Sequence, residues 1–242
     1  MIIPKTIHES WHEDLQPLFD DIKMSMVLDT VSKGYYYPKK EDVFKVFRMP
    51  MDRIKVVILG QDPYPNGEAT GLAFGVRTDK NTPQSLIIIK KEIERTIYPE
   101  KEMFSQVNYP DIVNWKTLEH WWKQGVFLLN SALTVEDKKP NSHTLIWQWF
   151  TRQIVHIIST KQPSIWMLWG TKAQNYLSYI DHHVIINQDN IDVVIPNNGV
   201  LQAPHPVAEA YDPSRTPRFS GCNHFSMCNQ ILKHQDKGAI VW

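Results

Sequence analysis

The sequence is short of cysteine, with only Cys222 and Cys228 in 242 residues. Such a pair cannot build a disulfide framework, and with His224 between them the spacing is not one of the common zinc patterns, so reduced thiols and an intracellular protein are expected. An excess of either charge is also missing, since 26 basic residues face 26 acidic ones. No overall field announces a nucleic-acid partner, and neutrality does not exclude a local basic patch. No apolar run reaches the roughly 18 residues of a membrane span, and MIIPKTIHESW holds no basic segment followed by a long apolar stretch, which points to a soluble protein without a membrane partner. Flexible Gly/Ser linkers, repeats and low-complexity tracts are absent too. Residues 1–242, 42% of them hydrophobic, therefore read as one domain with a sizeable core.

What is present is an alternation of element types. Short apolar runs that read as buried strands are Val56 to Leu59, Val126 to Leu129, Ile165 to Trp169 and the segment near Val200 and Leu201. Between them lie helical spacings. Leu86, Ile89, Ile93 and Ile97 share one face, entered through Thr82 as N-cap with Pro83 at the first helical position. Ile146, Phe150, Ile154, Ile157 and Ile158 share another, with Asn141 and Ser142 as candidate caps. Trp147 and Trp149, two apart, cannot both face the same side of that helix. The expected fold is α/β, a single domain with a central, mostly parallel four-stranded sheet flanked by helices.

In such sheets ligands bind outside the carboxyl ends of the strands, so the residues after each run carry the functional argument. Those residues are polar: GQDPYP after Leu59, Asn130 after Leu129, GTKAQ after Trp169, and His205 and Pro206 after VLQAP. A carboxylate in a tight Gly/Pro loop and a histidine at another strand end make a candidate acid, base or electrostatic pair. Taken singly, Asp-Pro and His-Pro are ordinary loop dipeptides, Asn130 has a turn reading, and Tyr64 and Phe74 have a core reading. The paired lysines Lys138 and Lys139 read equally as phosphate contacts or as a solvated turn, and no further ligands complete a metal set with His182 and His183.

Across these residues the chain resembles family 1 uracil-DNA glycosylase, whose first motif, GQDPYH, appears here as GQDPYP at Gly60 to Pro65. The resemblance is carried by IHESW, KVVILGQDPY, GLAFGV, QGVFLLNSALTV, NSH, LWGTKAQ, LQAPHP and GCNHFS, in family order along most of the chain. It implies a hydrolase that flips deoxyuridine out of single- or double-stranded DNA, cuts the N-glycosidic bond and leaves an abasic site, with no cofactor, no metal and no lyase step. By resemblance, Asp62 positions water and stabilises the cationic sugar, and neutral His205 hydrogen-bonds uracil O2. Asn130 reads the uracil edge, Phe74 stacks on the base, Tyr64 excludes a C5 methyl group, and Gln61 lines the pocket. Pro83, Ser85 and Thr171 match positions that contact the DNA backbone, and such contacts suit a neutral protein because backbone N–H groups hold phosphates without net charge.

A monomer in the cytoplasm, or in a nucleus for a eukaryotic or viral chain, is the corresponding expectation. A proteinaceous inhibitor or a replication partner is the remaining partner class. The alternatives are a glycosylase redirected to a modified base and a DNA-binding replication scaffold; a scaffold would need neither Asp62 nor His205.

The chain departs from the family at several places. Pro65 replaces the motif's histidine. The stretch between Ile180 and His205 is longer than usual and reads as an extra hairpin around Pro196 to Gly199. The loop after His205, HPVAEAYDPSR, is enlarged and lacks the family's serines and leucine, so counting from His205 puts Glu209 at the position of the DNA wedge. Tyr211 is the large ring in that loop and the expected wedge, with Arg215 or Arg218 on the neighbouring phosphate.

Overall fold

The computed structural model describes residues 1–99, 112–191, 197–212, 214 and 216–242. Its strands are β1 (Tyr36–Tyr37), β2 (Val56–Gly60), β3 (Val126–Asn130), β4 (Val135–Glu136), β5 (Ile165–Trp169), β6 (His183–Ile185) and β7 (Asn198–Ala203). Its helices are α1 (His12–Asp20), α2 (Ile22–Ser32), α3 (Gln84–Thr96), α4 (Glu119–Lys123), α5 (Thr144–Lys161), α6 (Thr171–Gln174), α7 (Ala208–Tyr211) and α8 (His224–His234). None of the described helices is long and apolar enough to cross a membrane.

The central sheet runs β3-β2-β5-β7-β6 with every neighbouring pair parallel. All positions of β2, β3 and β5 are buried, because helices cover both faces and leave no polar side to the strands. The register sets Gly60 opposite Asn130 and Trp169 opposite Ala203, so these four strands end together at one rim. That rim is where the polar loops converge.

Among the described residues the sheet has five strands where the sequence suggests four. The fifth, β6, comes from the lengthened segment, and its residues are half-buried to exposed, so no apolar run marks it. The same strand corrects the expected hairpin: β6 lies parallel to β7, a pairing that no tight turn can join. Of the expected turn around Pro196 to Gly199, Pro196 lies outside the described residues, while Asn198 and Gly199 belong to β7. Asn198 ties the segment to the core, accepting N–H groups from Ser164 (3.1 Å) and Trp166 (3.0 Å) while donating to the carbonyls of Ser159 and Asp181. Fully buried, it has its polar atoms satisfied, as a buried amide must.

Helix α3 buries Leu86, Ile89 and Ile93 as the spacing predicts, but Pro83 itself is the N-cap and α3 begins one residue later than expected. Helix α5 is capped at His143, not at Asn141 or Ser142. Its buried face centres on Trp147, Phe150, Ile154, Val155 and Ile158, with Ile146, Trp149 and Ile157 on the flanks. Trp11 of the IHESW segment stacks on Phe127 of β3 at 5.3 Å and donates its indole N–H to the Met49 carbonyl at 2.8 Å, which locks the N-terminal helices onto the sheet.

Candidate active site

The site begins with a glycine. A Cβ on Gly60 would fall 2.4 Å from Asn130 Oδ1 and 2.9 Å from the Ala73 Cβ, so only glycine lets the Asn130 side chain lie across the end of β2. The loop that follows is pinned to β3: Ser131 N–H donates to the Gly60 carbonyl, while Ala132 N–H (2.9 Å) and the Ser131 hydroxyl (2.6 Å) both donate to the Gln61 carbonyl. A second close approach occurs at Gly170, whose φ of 85° suits glycine and where a Cβ would meet that of His205 at 2.8 Å. The end of β5 and the loop after β7 therefore touch directly.

These contacts shape a cleft of 370 Å³ lined by Gln61, Asp62, Tyr64, Phe74, Ser85, Asn130, His205 and Tyr211, with Pro65 and Pro83 at its edge. Larger cavities of 460 and 520 Å³ lie elsewhere. The first is mainly apolar, and neither gathers a carboxylate, an imidazole and an amide with aromatic rings. Convergence of such groups, rather than size, marks a reactive site.

Asp62 Oδ2 accepts the backbone N–H of Asn141 at 2.8 Å. Burial pushes its carboxyl above the ordinary range, while the Asn141 N–H, the Lys172 charge and Gln61 pull the other way. Asn141 sits in the left-handed region (φ 67°), which asparagine tolerates, and its side-chain carbonyl accepts from Lys172 Nζ at 2.8 Å and from the Gln61 amide. Neither Asn141 nor Lys172 was singled out for this place by the sequence. The NSH segment, for Asn141, and the GTKAQ loop after Trp169, for Lys172, were the available signals.

His205 Nδ1 faces the backbone N–H of Val207 at 3.2 Å. A backbone N–H can only donate, so Nδ1 must accept, and the neutral ring carries its proton on Nε2. Burial also lowers the imidazole below its ordinary value, which favours that neutral form. The site thus combines a carboxylate with a neutral imidazole donor.

Asn130 is 7% exposed at the end of β3 and, among the described residues, its side-chain amide has no hydrogen-bond partner, so donor and acceptor both remain for a ligand. Tyr64 is anchored by its hydroxyl, 3.1 Å from Ser85 Oγ, and burial pushes its phenol up to about 12. Phe74 adopts φ 62°, a strained choice for a bulky residue, and packs at 5.5 Å from the Trp169 ring and 5.9 Å from His205.

Other expected site residues lie around the rim. Pro83 is half-buried at the start of α3, Ser85 is buried behind Tyr64, and Thr171 is exposed at the first residue of α6. Tyr211 ends α7 and is 84% exposed at the cleft mouth. Glu209 turns inward instead, accepting the Ser220 N–H at 3.0 Å with Arg218 Nε 3.6 Å away. Arg215 lies outside the described residues.

Behind Phe74, Trp169 donates its indole N–H to His224 Nδ1 at 3.0 Å, which explains why GCNHFS accompanies the site. Burial holds His224 down at about 4, against the pull of Glu92. Because the folded value is below the unfolded one, the stability His224 contributes is full above about pH 6.5 and is lost as pH falls towards about 4, a change of about 3 kcal/mol at most. Urea unfolding across that range should show the midpoint falling, with a shallower fall in His224→Gln. Equal slopes for the two proteins would contradict this assignment.

The family model described as the uracil DNA glycosylase superfamily matches residues 48–233. A uracil-DNA glycosylase of Escherichia coli O6:H1 is 37% identical, the match covering 96% of this chain and 94% of the relative. One from Fusobacterium nucleatum is 35% identical over 98% and 96% of the two chains. The crystal structure of mimivirus uracil-DNA glycosylase superimposes with a TM-score of 0.78 at 22% identity, covering 98% of this chain and 87% of that one, and a Y322L form of it was solved in complex with UGI.

Proposed function

The chain belongs to the uracil-DNA glycosylase superfamily, and on that premise we propose how its cleft hydrolyses the N-glycosidic bond of flipped-out deoxyuridine in DNA. The products are free uracil and an abasic site, and there is no lyase step. The observation that carries the mechanism is the meeting of Asp62, His205 and Asn130 in one cleft with Tyr64 and Phe74.

Bond cleavage leaves an oxocarbenium-like sugar and a uracil anion, so the transition state develops charge of both signs. Asp62 stabilises the positive sugar and orients the attacking water, and the His205 Nε2–H donates to uracil O2 as negative charge grows there. Asn130 pairs with N3–H and O4, an edge that cytosine presents with donor and acceptor exchanged. Phe74 stacks on the base, and Gln61 lines the pocket beside it.

Tyr64, held by Ser85, closes the space beside C5. Tyr64→Ala is expected to excise thymine where the parent protein does not, measured on a T·A oligonucleotide. Folded Tyr64→Ala that still ignores thymine would remove Tyr64 from base selection.

On the DNA side, Pro83, Ser85 and Thr171 contact backbone phosphates, and Tyr211 is the wedge that fills the gap left by the flipped nucleotide. Supporting this, the Tyr211 ring stands free at the cleft mouth while Glu209, at the wedge position by simple counting, is turned into the protein. Arg215 belongs to the same proposed contact. Base stacking on an aromatic ring is worth about 1–3 kcal/mol, so Tyr211→Ala should slow excision from duplex by about tenfold and from single strands far less. Equal losses on both substrates would refute the wedge.

The whole chain acts as one domain and as a monomer, inside the cell where its DNA substrate lies. The mimivirus complex with UGI supports a proteinaceous inhibitor as a further partner. Alkali cleavage of uracil-containing oligonucleotides, as single strand, U·A and U·G, tests the proposal beside thymine and hydroxymethyluracil controls. Strand breaks at uracil alone are the expected result. Breaks confined to hydroxymethyluracil, or none at all, would instead support a redirected glycosylase or a scaffold.

A further inference from the structure

We infer that Lys172 is a positioning residue for Asp62, acting through Asn141 to hold the carboxylate in place and ionised. This rests on the role proposed above for Asp62. The geometry is a short relay across three segments of chain. Lys172 Nζ donates to Asn141 Oδ1 at 2.8 Å, the Gln61 amide donates to the same oxygen, and the Asn141 backbone N–H reaches Asp62 Oδ2 at 2.8 Å. Asn141 sits in the left-handed region, sparsely populated by residues other than glycine, and two donors on its side-chain oxygen hold the residue, and with it the backbone N–H, in that conformation.

Burial works against the charged form of Asp62, and Lys172 is the cation whose field opposes it. Other groups nearby do not replace that charge. Among the described residues, His205 and Tyr64 share the cleft, and both are held in their neutral forms by burial. Lys138 approaches through its backbone, whose N–H bonds the Pro65 carbonyl, but its side chain is 81% exposed and lies 4.0 Å from Asp137. Lys172 thus supplies from α6 a positive charge that the active-site loop itself, running GQDPYP, does not contain.

The test is the pH profile of single-turnover uracil release at saturating protein for Lys172→Met and Lys172→Arg. Both are made in the parent and in a His205→Ala background, where Asp62 remains as the titrating member of the pair. Lys172→Met should move the acid limb to higher pH and lower the rate several-fold more at about pH 5 than at about pH 8, while Lys172→Arg restores the parent profile. Lys172→Met profiles that superimpose on the parent would overturn the inference. So would a loss confined to DNA affinity with a smaller salt dependence, since that is the signature of a simple phosphate contact. Asp62→Asn serves as the control: if it retains the parent rate, the role of Asp62 fails, whereas an inactive Asp62→Asn beside an unshifted Lys172→Met overturns the relay alone.

Discussion

Asp62→Asn is expected to lower the single-turnover rate of uracil release by about a thousandfold or more while DNA affinity stays within a few-fold. The carboxylate acts on charge that exists only in the transition state, so its loss is felt in the chemical step rather than in binding. Asparagine preserves the shape, and its side-chain oxygen still accepts the Asn141 N–H, which keeps the loop in place. The measurement is rapid quench at saturating protein, with affinity read separately on DNA carrying a non-cleavable nucleotide. A rate unchanged by the substitution would exclude Asp62 from the reaction.

His205→Ala should cost about a hundredfold to a thousandfold, the usual penalty for removing one donor aimed at a developing anion. Its pH behaviour is the sharper test. Burial holds the imidazole below its ordinary value, so the neutral form gains ground as pH rises through about 6.5, and activity should persist through that point. The Val207 N–H on Nδ1 reinforces this, since a protonated ring would set two donors against each other. If the parent rate instead fell above about pH 6.5, with that fall absent from His205→Ala, the imidazolium would be the active form and the neutral-donor assignment would be wrong.

Much of the site was legible because its residues sit in short, contiguous motifs at strand ends. The runs Val56 to Leu59, Val126 to Leu129 and Ile165 to Trp169 read as buried parallel strands because both of their faces must be apolar, and the rule that ligands bind beyond the carboxyl ends then led from the first two to Asp62 and Asn130, and from the segment near Val200 and Leu201 to His205. The helix starts were less legible. Thr82, Asn141 and Ser142 are all good capping types, yet Pro83 and His143 occupy the N-cap positions. Asn141 is instead drawn into contact with Asp62, 79 residues away, and Ser142 accepts the N–H of Glu136.

By itself the sequence determined four strands of the central sheet and the two helices lying between them, the burial of the three strongest strands and the kinds of group at their ends, because periodicity and turn chemistry are properties of neighbouring residues. Tertiary structure alone decided which of those groups meet and which way they point. It paired half-exposed β6 with β7, turned Glu209 inward and left Tyr211 outside, and set Lys172 and Asn141 behind Asp62. Each of these outcomes depends on contacts between distant segments, where packing and hydrogen-bond satisfaction choose among orientations that local propensity leaves equally open.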